Sequence, residues 1–557
     1  METKAQRIER LKREKNPWEA LDELRRVAAE GIEKIPAEWM GTYLRWWGVY
    51  PQGDGAGVLG GKGGEGKSAP YLMLRIRLTN GLLQAHQLRT IAEVAREHAR
   101  GIADITVRQN IQLHWIALES LPRVLESLWC AGLTTMGSCG DDTRNITGCP
   151  LAGLDGDEIV DASPLALDAT RMLVGNRDFY NLPRKFKVSI SGCRAWCSYP
   201  EINDVAVNAV QINGDIGYSI RVGGGLSADP HLAVKLPFLL RHHEVLPVVK
   251  AAAEIYRDAE VLREHRDRAR LKHLFLRHGW TADRFASEIE QRLGYAPERH
   301  EFDSSPDTYR DHVGIHPQKQ PGLSYAGVSI VSGRTSAQQL AAVASIAERF
   351  GSGEVRTTNM QNLLIPNVRN ERTAEAAQAL AEIGLPTSGS PFARGAIACT
   401  GAQFCRLAIT ETKSFTRWLV TELEERMPGF AQHLKLNVTG CPNSCGQHWI
   451  ADIGIEGKKI KVGTQLVDAY YFCVGGGVGK HQAIARPIGY RCLAADVPDA
   501  IERLLDRYLL LRDEDEDLRR FFARHSDEEL RYWLAGVPVE TALRDASPGR
   551  PPHEIDI

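Results

Sequence analysis

A helical pattern of hydrophobic positions occurs twice along the chain, at the i, i+3, i+4, i+7 spacing of an amphipathic helix. The positions are Leu88, Ile91, Ala92 and Ala95, and again, each 252 residues later, Leu340, Val343, Ala344 and Ala347. Strand-like runs flank each helix at matching places, so the segments 71–133 and 325–385 both predict the order β-α-β-β-α. We expect each segment to be a ferredoxin-like half-repeat whose sheet needs a partner surface.

A second pair of segments extends the repeat. FKVSISGCRAWCSYPEINDVAV, from Phe186, resembles LKLNVTGCPNSCGQHWIADIGI, from Leu434. The alignment matches Gly192 with Gly440 and the pair Cys193 and Cys197 with the pair Cys441 and Cys445. The chain is therefore predicted to be an internally duplicated α+β protein with pseudo-twofold symmetry and a site where its halves meet.

Composition excludes several classes of protein. The 557 residues are 43% hydrophobic and 25% charged, which is typical of a globular protein. Lys and Arg total 68 against 70 Asp and Glu, so no overall positive charge favours nucleic acid. No apolar stretch approaches the ~18 residues of a membrane span. We expect a cytoplasmic protein that binds neither nucleic acid nor membrane.

A glycine-rich loop contains a pattern that resembles a nucleotide-binding motif. Gly61 to Ser68 matches G-x4-G-K-[ST], but a phosphate loop needs a buried strand before it and a helix after it. Here PQGDGAGVLG precedes the loop, and Pro70 leads into the strand-like run YLMLRIRL. We interpret the segment as a flexible connector, and the chain has no convincing dinucleotide or flavin module.

Four of the eleven cysteines form two spaced pairs: Cys399 and Cys405 as C-x5-C, Cys441 and Cys445 as C-x3-C. Two loops then supply the four thiolates of a [4Fe–4S] cube or of an all-cysteine zinc site. Unliganded core cysteines are the remaining interpretation.

Basic residues recur in otherwise apolar segments. Arg75 and Arg77 alternate with apolar residues in LMLRIRL, and Lys185 and Lys187 share one face of the predicted strand KFKVSI. Arg108, Arg144 and Arg184 lie in nearby loops of the repeat. Solvated surface charge is the ordinary interpretation of such residues, but this arrangement suits a polyanionic ligand.

Six separate motifs resemble the siroheme and [4Fe–4S] assimilatory sulfite reductases and ferredoxin-nitrite reductases. They are LRIRL, RQNIQLH, TRN-x3-CPLAG, NLPRKFK, CTGAQFCRLAITETK and TGCPNSC, and the resemblance spans about residues 40 to 540. It implies the nitrite/sulfite reductase fold. The expected parts are an N-terminal helical extension with the glycine-rich loop (1–68), a half-repeat (69–136), a first siroheme-facing α/β domain (137–318), a second half-repeat (319–390), the [4Fe–4S]/siroheme domain (391–546) and a flexible tail (547–557).

The resemblance also implies cofactor ligands. Cys399, Cys405, Cys441 and Cys445 would hold the cluster, and Cys445 would share its thiolate with the siroheme iron. The residues that match siroheme-lining positions are Arg108, Gln109, Asn110, Gln112, Arg184 and Asn443.

Arg75, Arg144, Lys185 and Lys187 match the positions that bind the substrate anion. The implied reaction is the six-electron reduction of sulfite to sulfide with ferredoxin as donor. Lys187 favours sulfite, because plant-type nitrite reductases usually have Asn there, whereas CTGAQFC followed by ITETK resembles the nitrite reductase branch. Reduction of nitrite to ammonia, a separate flavoprotein donor and a non-catalytic iron–sulfur or zinc protein are the alternatives. We expect a monomer.

Other cysteines have two interpretations each. Cys149, Cys193 and Cys197 form either a second cluster site or a vestige of the duplication. Some bacterial members of the family join a tyrosine and a cysteine by a thioether, and Tyr50 and Cys139 match those regions; the alternative is a packing residue and an ordinary thiol.

Overall fold

The structure is a computed structural model that describes residues 2–31, 34, 39, 42–53, 68–301, 305–306 and 309–536. They form two compact units. With the gaps just given, the first unit draws on residues 2–52, 69–225 and 231–388, and the second on Gly53, Ser68 and residues 226–230 and 389–536. Most of the glycine-rich loop and the whole predicted tail lie outside the described residues.

The N-terminal segment begins the first unit with short helices. These are α1 (Lys4–Glu14), α2 (Leu21–Glu30) and α3 (Tyr43–Trp46), followed by strand β1 (Val49–Gly53). Helix α1 starts at a capping box in which Thr3 and Gln6 satisfy each other's backbone N–H groups.

The first half-repeat follows. Its elements are β2 (Ser68–Ile76), β3 (Leu82–Gln84), α4 (Ala85–His98), β4 (Ile102–Ile105), β5 (Ile111–Ala117) and α5 (Leu121–Cys130). Strand β2 starts at Ser68, where a phosphate-binding loop would require a helix. The connector interpretation of the preceding loop is therefore favoured.

The middle part of the first unit's sequence forms a four-stranded sheet, with helices before and after it in the chain. Its elements are α6 (Ser163–Leu173), β6 (Val188–Ser191), β7 (Val205–Ile212), β8 (Asp215–Val222), β9 (Val234–Leu240), α7 (Val245–Asp258), α8 (Lys272–Arg277) and α9 (Ala282–Leu293). The strand order is β6-β7-β8-β9, with β6 parallel to β7 and the other pairs antiparallel.

The second half-repeat closes the first unit. Its elements are β10 (Gly314–Pro317), β11 (Leu323–Val328), β12 (Arg334–Ser336), α10 (Ala337–Phe350), β13 (Glu354–Thr357), β14 (Leu363–Arg369) and α11 (Thr373–Glu382). The predicted apolar faces of α4 and α10 are buried, and both contribute to one hydrophobic core.

The order β-α-β-β-α was wrong in one respect, because each half-repeat has an additional strand of three residues, β3 or β12. Strand β12 pairs with β4 of the first repeat, and β3 pairs with β13 of the second. The sheet orders are β1-β2-β5-β4-β12 and β10-β11-β14-β13-β3. Each repeat therefore completes the other's sheet, and the expected partner surface is a single exchanged strand.

Glycine is required where the chain enters each exchanged strand. Gly81 and Gly333 have φ of +72° and +70°. A Cβ on Gly81 would lie 2.3 Å from Thr357 O, and one on Gly333 would lie 2.7 Å from Ile105 O. Both the backbone conformation and the close approach of the other repeat exclude a side chain.

The second unit contains one five-stranded sheet and flanking helices. Its elements are α12 (Pro391–Gly395), β15 (Ala396–Ala398), α13 (Lys413–Arg426), β16 (Leu436–Thr439), β17 (Ile453–Val462), β18 (Gln465–Val474), β19 (Arg486–Leu493), α14 (Val497–Leu511), α15 (Leu518–Arg524) and α16 (Asp527–Ala535). The order is β15-β16-β17-β18-β19. Strands β15, β16 and β17 are parallel and the rest antiparallel, which repeats the pattern of β6 to β9. No described helix is long and apolar enough to cross a bilayer.

Candidate active site and metal centre

The side chain of Arg75 is held in one orientation by neighbours on two segments. It lies on β2 directly opposite Gln112 of β5, and its Nε and Nη2 donate to Gln112 Oε1 at 2.9 and 2.6 Å. Its Nη1 donates to Ser138 O and Cys139 Sγ, each at 3.2 Å. The guanidinium is therefore positioned before any ligand binds.

Arg144 lies in the loop that leads toward α6, and it is buried. Its Nη1 and Nη2 donate to Ser138 O and Gly140 O at 3.1 and 2.6 Å. Its backbone N–H donates to Phe186 O at 2.7 Å, which fixes this loop against the segment before β6. Arg75 and Arg144 thus share Ser138 O as an acceptor.

Lys185 and Lys187 immediately precede β6, which starts at Val188 rather than at Lys185 as predicted. The backbone N–H of Lys187 donates to Asp204 Oδ2 at 2.8 Å. Arg270 binds both oxygens of the same carboxylate, through Nε at 3.1 Å and Nη2 at 2.7 Å. Asp204 therefore fixes the backbone at Lys187 and neutralises one nearby cation.

The positively charged side chains around Lys187 and Arg108 lie close enough to repel one another. Burial and the charges of Arg270, Lys185 and Arg108 hold the pKa of Lys187 well below its usual range. Burial also lowers the pKa of Arg108 to about 9, and Arg144 and Arg75 add to the effect. Such a cluster gains stability from a bound anion, because an anion relieves the repulsion between its charges.

The side chain of Arg108 has two hydrogen-bonded nitrogens and one nitrogen without a hydrogen-bond partner among the described residues. Its Nη1 donates to Asn203 Oδ1 and its Nη2 to Asn145 O, both at 2.7 Å. Its Nε, like Arg144 Nε, is buried with no hydrogen-bond partner among the residues that the structure describes.

Gln109 and Asn110 make contacts that the second repeat duplicates. Gln109 Nε2 donates to Thr357 O at 3.2 Å, and Gln361, at the matching position, donates to Ile105 O at 3.0 Å. Asn110 Oδ1 accepts from Leu78 N–H, and Asn362 Oδ1 accepts from Ile330 N–H. The glutamines thus connect the two half-repeats, whereas each asparagine fixes a loop within its own half-repeat. Contact of Gln109 and Asn110 with siroheme stays a prediction.

Arg184, also predicted to line siroheme, is paired within the protein. Its Nη1 lies 3.0 Å from Asp141 Oδ1. Burial lowers the pKa of its guanidinium, and Asp141 opposes that effect.

The four paired cysteines lie in the second unit, at the ends of adjacent strands. Cys399 directly follows β15, Cys405 lies in the next turn, and Cys441 and Cys445 follow β16. Gly440 N–H donates to Cys399 Sγ at 3.3 Å, and Asn443 Nδ2 donates to Cys441 Sγ at 3.5 Å. Because β15 and β16 are parallel, both loops leave the sheet at the same edge.

Comparison with known proteins then decides the family. The model of the nitrite and sulphite reductase 4Fe-4S domain matches residues 139–296 and 389–535. The model of the nitrite/sulfite reductase ferredoxin-like half domain matches residues 65–128 and 316–383. The chain belongs to the nitrite and sulphite reductase family. It is an oxidoreductase with the family's duplicated α+β fold, as predicted.

Relatives of this reductase carry both substrate names. A ferredoxin–nitrite reductase of Leptolyngbya laminosa is 36% identical, over 91% of this chain and 97% of the relative. A sulfite reductase [ferredoxin] of Mycolicibacterium paratuberculosis is 34% identical, over 90% and 92%. The structure of the Mycobacterium tuberculosis NirA protein matches with a TM-score of 0.89 at 32% identity, over 94% of this chain and 97% of that one.

The cysteines of the reductase fit the [4Fe–4S] cluster that the family implies. Burial and the neighbouring cysteines raise the pKa of Cys405 to about 12 and of Cys441 to about 11, so a cation is needed to hold these groups as thiolates. Within the described part of the chain, no three of the four have sulfurs all within 4.8 Å of one another. A single zinc ion needs sulfurs roughly 3.8 Å apart, so this wider spacing favours the cube.

The first unit of the reductase likewise fits siroheme, the other predicted cofactor, which family membership confirms together with the cluster. Siroheme is rich in carboxylates, and Arg108 Nε, a buried donor with no hydrogen-bond partner among the described residues, suits an anionic group.

Asp204, Arg270 and Asn203 were missed by sequence reasoning. Arg270 belongs to an arginine-rich segment that resembles an exposed surface, and nothing in its spacing shows that it binds Asp204. The one available signal was the alignment of the repeat, in which Asp204 matches Asp452. Asp452 Oδ2 accepts from Lys435 N–H at 2.7 Å, as Asp204 does from Lys187.

Tyr50 and Cys139 lie close enough to interact. Burial, with the charge of Cys139, raises the pKa of Tyr50. Cys139 is fully buried, and Arg45 lies over the Tyr50 ring at 5.3 Å. The thioether between them stays a prediction.

Proposed function

We propose that this reductase converts sulfite to sulfide, with electrons from a ferredoxin. The observation that carries the proposal is Lys187, whose ammonium lies among Lys185, Arg108 and Arg270. Sulfite is a dianion and nitrite a monoanion, so an additional cation in the cluster favours sulfite.

The protein's own groups bind and orient the anion. Arg75 and Arg144 are pre-positioned by backbone carbonyl groups and by Gln112, so little freedom is lost when they bind an oxyanion. When bound, the cluster and siroheme supply the electrons, one at a time.

Protons must accompany the electrons, because the three oxygens of sulfite leave as water. Lys185 and Lys187 are proposed as the donors. Lys187 is the better supported, since its lowered pKa makes its ammonium a stronger acid than an exposed lysine.

Cofactor roles are proposed on the same basis. Cys445 is the exposed member of the four cysteines, which suits a thiolate shared with the siroheme iron. Arg108 has the strongest support as a siroheme ligand, because its Nε is unpartnered within the described residues. Gln109, Asn110, Gln112, Arg184 and Asn443 remain the further candidates.

Nitrite reduction to ammonia is the second candidate. It is favoured by the name of the relative in Leptolyngbya laminosa and by that of an assimilatory ferredoxin-dependent nitrite reductase of Haloferax mediterranei, 34% identical over 93% of this chain and 91% of the relative.

The test is turnover of both anions by Lys187→Asn with reduced ferredoxin. Loss of a charge-assisted hydrogen bond costs about 1.5–3 kcal/mol, so kcat/KM for sulfite should fall roughly ten- to a hundredfold. The value for nitrite should fall less or rise. Lys250→Asn, at a half-exposed lysine of α7, is the matched control. Equal losses for both anions would reject the selectivity role of Lys187.

A further inference from the structure

A second group of cysteines occupies the first unit at the places that match the cluster loops. Cys149, Cys193 and Cys197 align with Cys399, Cys441 and Cys445 in the repeat. The fourth cluster ligand, Cys405, aligns with Asp155. The first copy therefore has thiols at three of the four places and an aspartate at the fourth.

A histidine joins these thiols in space. One ligand atom each from Cys149, Cys197 and His312 lies within 4.8 Å of the other two, and all three residues are buried. Cys193 contacts both other thiols by hydrogen bonds, and its Sγ also accepts from Cys197 N–H at 3.4 Å. Three separate segments therefore bring the sulfurs of Cys149 and Cys197 and the imidazole of His312 to one point. Cys193 lies beside the two thiols, but its sulfur is not within 4.8 Å of all three of these ligand atoms.

His312 has no other bonding role in the described structure. Its side chain is buried, yet neither Nδ1 nor Nε2 has a hydrogen-bond partner among the described residues. A buried polar group without a hydrogen-bond partner destabilises the folded protein. Its backbone also lies in the left-handed region, with φ of +67°, which is unfavourable for a residue other than glycine. A bound metal ion would satisfy one of these nitrogens.

Asp155 is excluded as the fourth ligand by its own ion pair. Arg310, two residues before His312, binds Asp155 Oδ2. Through Arg310, this segment neutralises Asp155, which stands at the place of the fourth cysteine. Through His312, it supplies a histidine to the group.

The short distances among Cys149, Cys197 and His312 favour a single ion over a cluster. Ligand atoms of a tetrahedral zinc ion lie roughly 3.5–3.8 Å apart, given Zn–S of about 2.3 Å and Zn–N of about 2.0 Å. The sulfurs around a cube are bound to separate iron atoms and lie farther apart, as the cysteines of the second unit do.

We propose that Cys149, Cys193, Cys197 and His312 bind one structural zinc ion. Three cysteines and a histidine fill all four positions of tetrahedral zinc, so no position stays open for catalysis. The thiols release their protons when the ion binds, and the imidazole binds as the neutral base. Cys149 lies five residues after Arg144, and Cys193 lies six after Lys187, so the ion would brace both substrate-binding loops.

Metal analysis of the full-length holoenzyme tests this proposal. Protein from zinc-supplemented cells should contain about one zinc per chain in addition to the iron of its cofactors. The double variant Cys197→Ser, His312→Ala should fall below about a tenth of that zinc. Cys130→Ser, at an exposed cysteine of the same unit, should keep it. Cys405→Ser should lose iron and keep zinc, which separates this site from the cluster.

X-ray absorption at the zinc edge of the wild-type protein decides the case even if the double variant fails to fold. The expected shell is three sulfurs at about 2.3 Å and one nitrogen at about 2.0 Å. Absence of zinc, a shell of oxygen atoms, or zinc retained in the folded double variant would overturn the proposal. Additional iron that disappears with Cys197 would instead indicate a second cluster.

Discussion

Lys187 combines a fixed backbone with a destabilised charge. Asp204 holds its N–H, while burial and three neighbouring cations hold the pKa of its ammonium well below the usual range. Since the anion binds only to the charged form, kcat/KM for sulfite should decline with rising pH, earlier than an ordinary lysine would cause. In Lys187→Arg the decline should move to higher pH, because guanidinium keeps its charge.

Steady-state pH profiles of the two proteins check this prediction. The ionisation of sulfite itself affects both proteins equally and cancels in their ratio. Lys250→Arg on α7 is the control and should leave the profile unchanged. If the profiles of the wild type and Lys187→Arg coincide, another group controls the alkaline decline.

Tyr50 and Cys139 lead to a covalent prediction at the same scale. Oxidation by dioxygen would form a bond between Cys139 Sγ and a carbon of the Tyr50 ring, with loss of one hydrogen from each. Intact-mass spectrometry should find the protein lighter by two hydrogen atoms, and digestion should yield one branched peptide. Cys139→Ala should restore the full mass of an unlinked chain. A separate alkylated Cys139 peptide from the wild type would contradict the link.

At the scale of single residues, the sequence is most informative where candidate ligands recur at a characteristic spacing. The C-x5-C and C-x3-C pairs predicted one cluster site, and the structure places both loops at the same edge of the sheet because β15 and β16 are parallel. The role of the four cysteines as ligands stays a prediction. Sequence reasoning did not predict that Asp204 binds Arg270, or that Gln109 reaches Thr357. Those contacts depend on how distant segments pack, which local spacing does not encode.

Among the elements, helix α1 is attached to the first unit by buried charges. Lys12 Nζ lies 2.5 Å from Glu9 Oε1 and 3.5 Å from Asp141 Oδ2, and it donates to Leu182 O at 2.9 Å. Burial alone would raise the pKa of Asp141, but Arg266, Lys12 and Arg184 lower it well below its usual range. The helix is therefore bound through ion pairs that exclude water.

Lys12→Met should destabilise the protein strongly, because it removes the ammonium from two buried carboxylates. Breaking a buried pair costs about 3–5 kcal/mol, and the lower end is expected here because Arg263 and Arg266 remain. Denaturant unfolding measures the change. Arg10→Gln is the control on the same helix, since its pairs with Glu2 and Glu14 are exposed, and it should leave the midpoint unchanged. Similar midpoints for the two variants would refute the anchoring role.

Element prediction from the sequence depended on element length. The helices α4 and α10 were predicted because four turns display a full hydrophobic face. The strands β3 and β12 were missed, since three residues show no alternation. Their existence depends on a partner strand more than 200 residues away.

Across the whole molecule, the two copies of the duplicated segment carry different residues at matching positions. Lys187 and Lys435 occupy equivalent backbone positions, and the backbone N–H of each donates to an aspartate. Around Lys187 the first copy adds three further cations, Arg270, Lys185 and Arg108. Cys405 is one of the four predicted cluster ligands in the second copy, whereas Asp155 at the matching place in the first copy pairs with Arg310. The predicted anion-binding residues thus lie in one copy and the predicted cluster ligands in the other.

The exchanged strands should make the two half-repeats unfold together. Arg334 of β12 donates to both oxygens of Asp104 on β4, at 2.8 and 3.0 Å, and His114 Nε2 lies 3.1 Å from the same carboxylate. Asp104 and His114 are buried, and the side chain of Arg334 is only 9% exposed. This contact connects the two half-repeats through the sheet that contains β4 and β12, so its loss should destabilise both half-repeats.

Arg334→Met should therefore lower the free energy of unfolding by about 3–5 kcal/mol, because Asp104 stays buried without its guanidinium partner. Arg89→Met is the matched control: Arg89 on α4 also pairs across the repeats, with Glu348 of α10 at 2.7 Å, but that pair is exposed. Its loss should cost less than about 1 kcal/mol. Denaturant unfolding followed by hydrogen exchange should show β4 and β13 losing protection together in Arg334→Met. Protection lost in β4 while β13 stays protected would mean that the repeats are independent despite the exchanged strands.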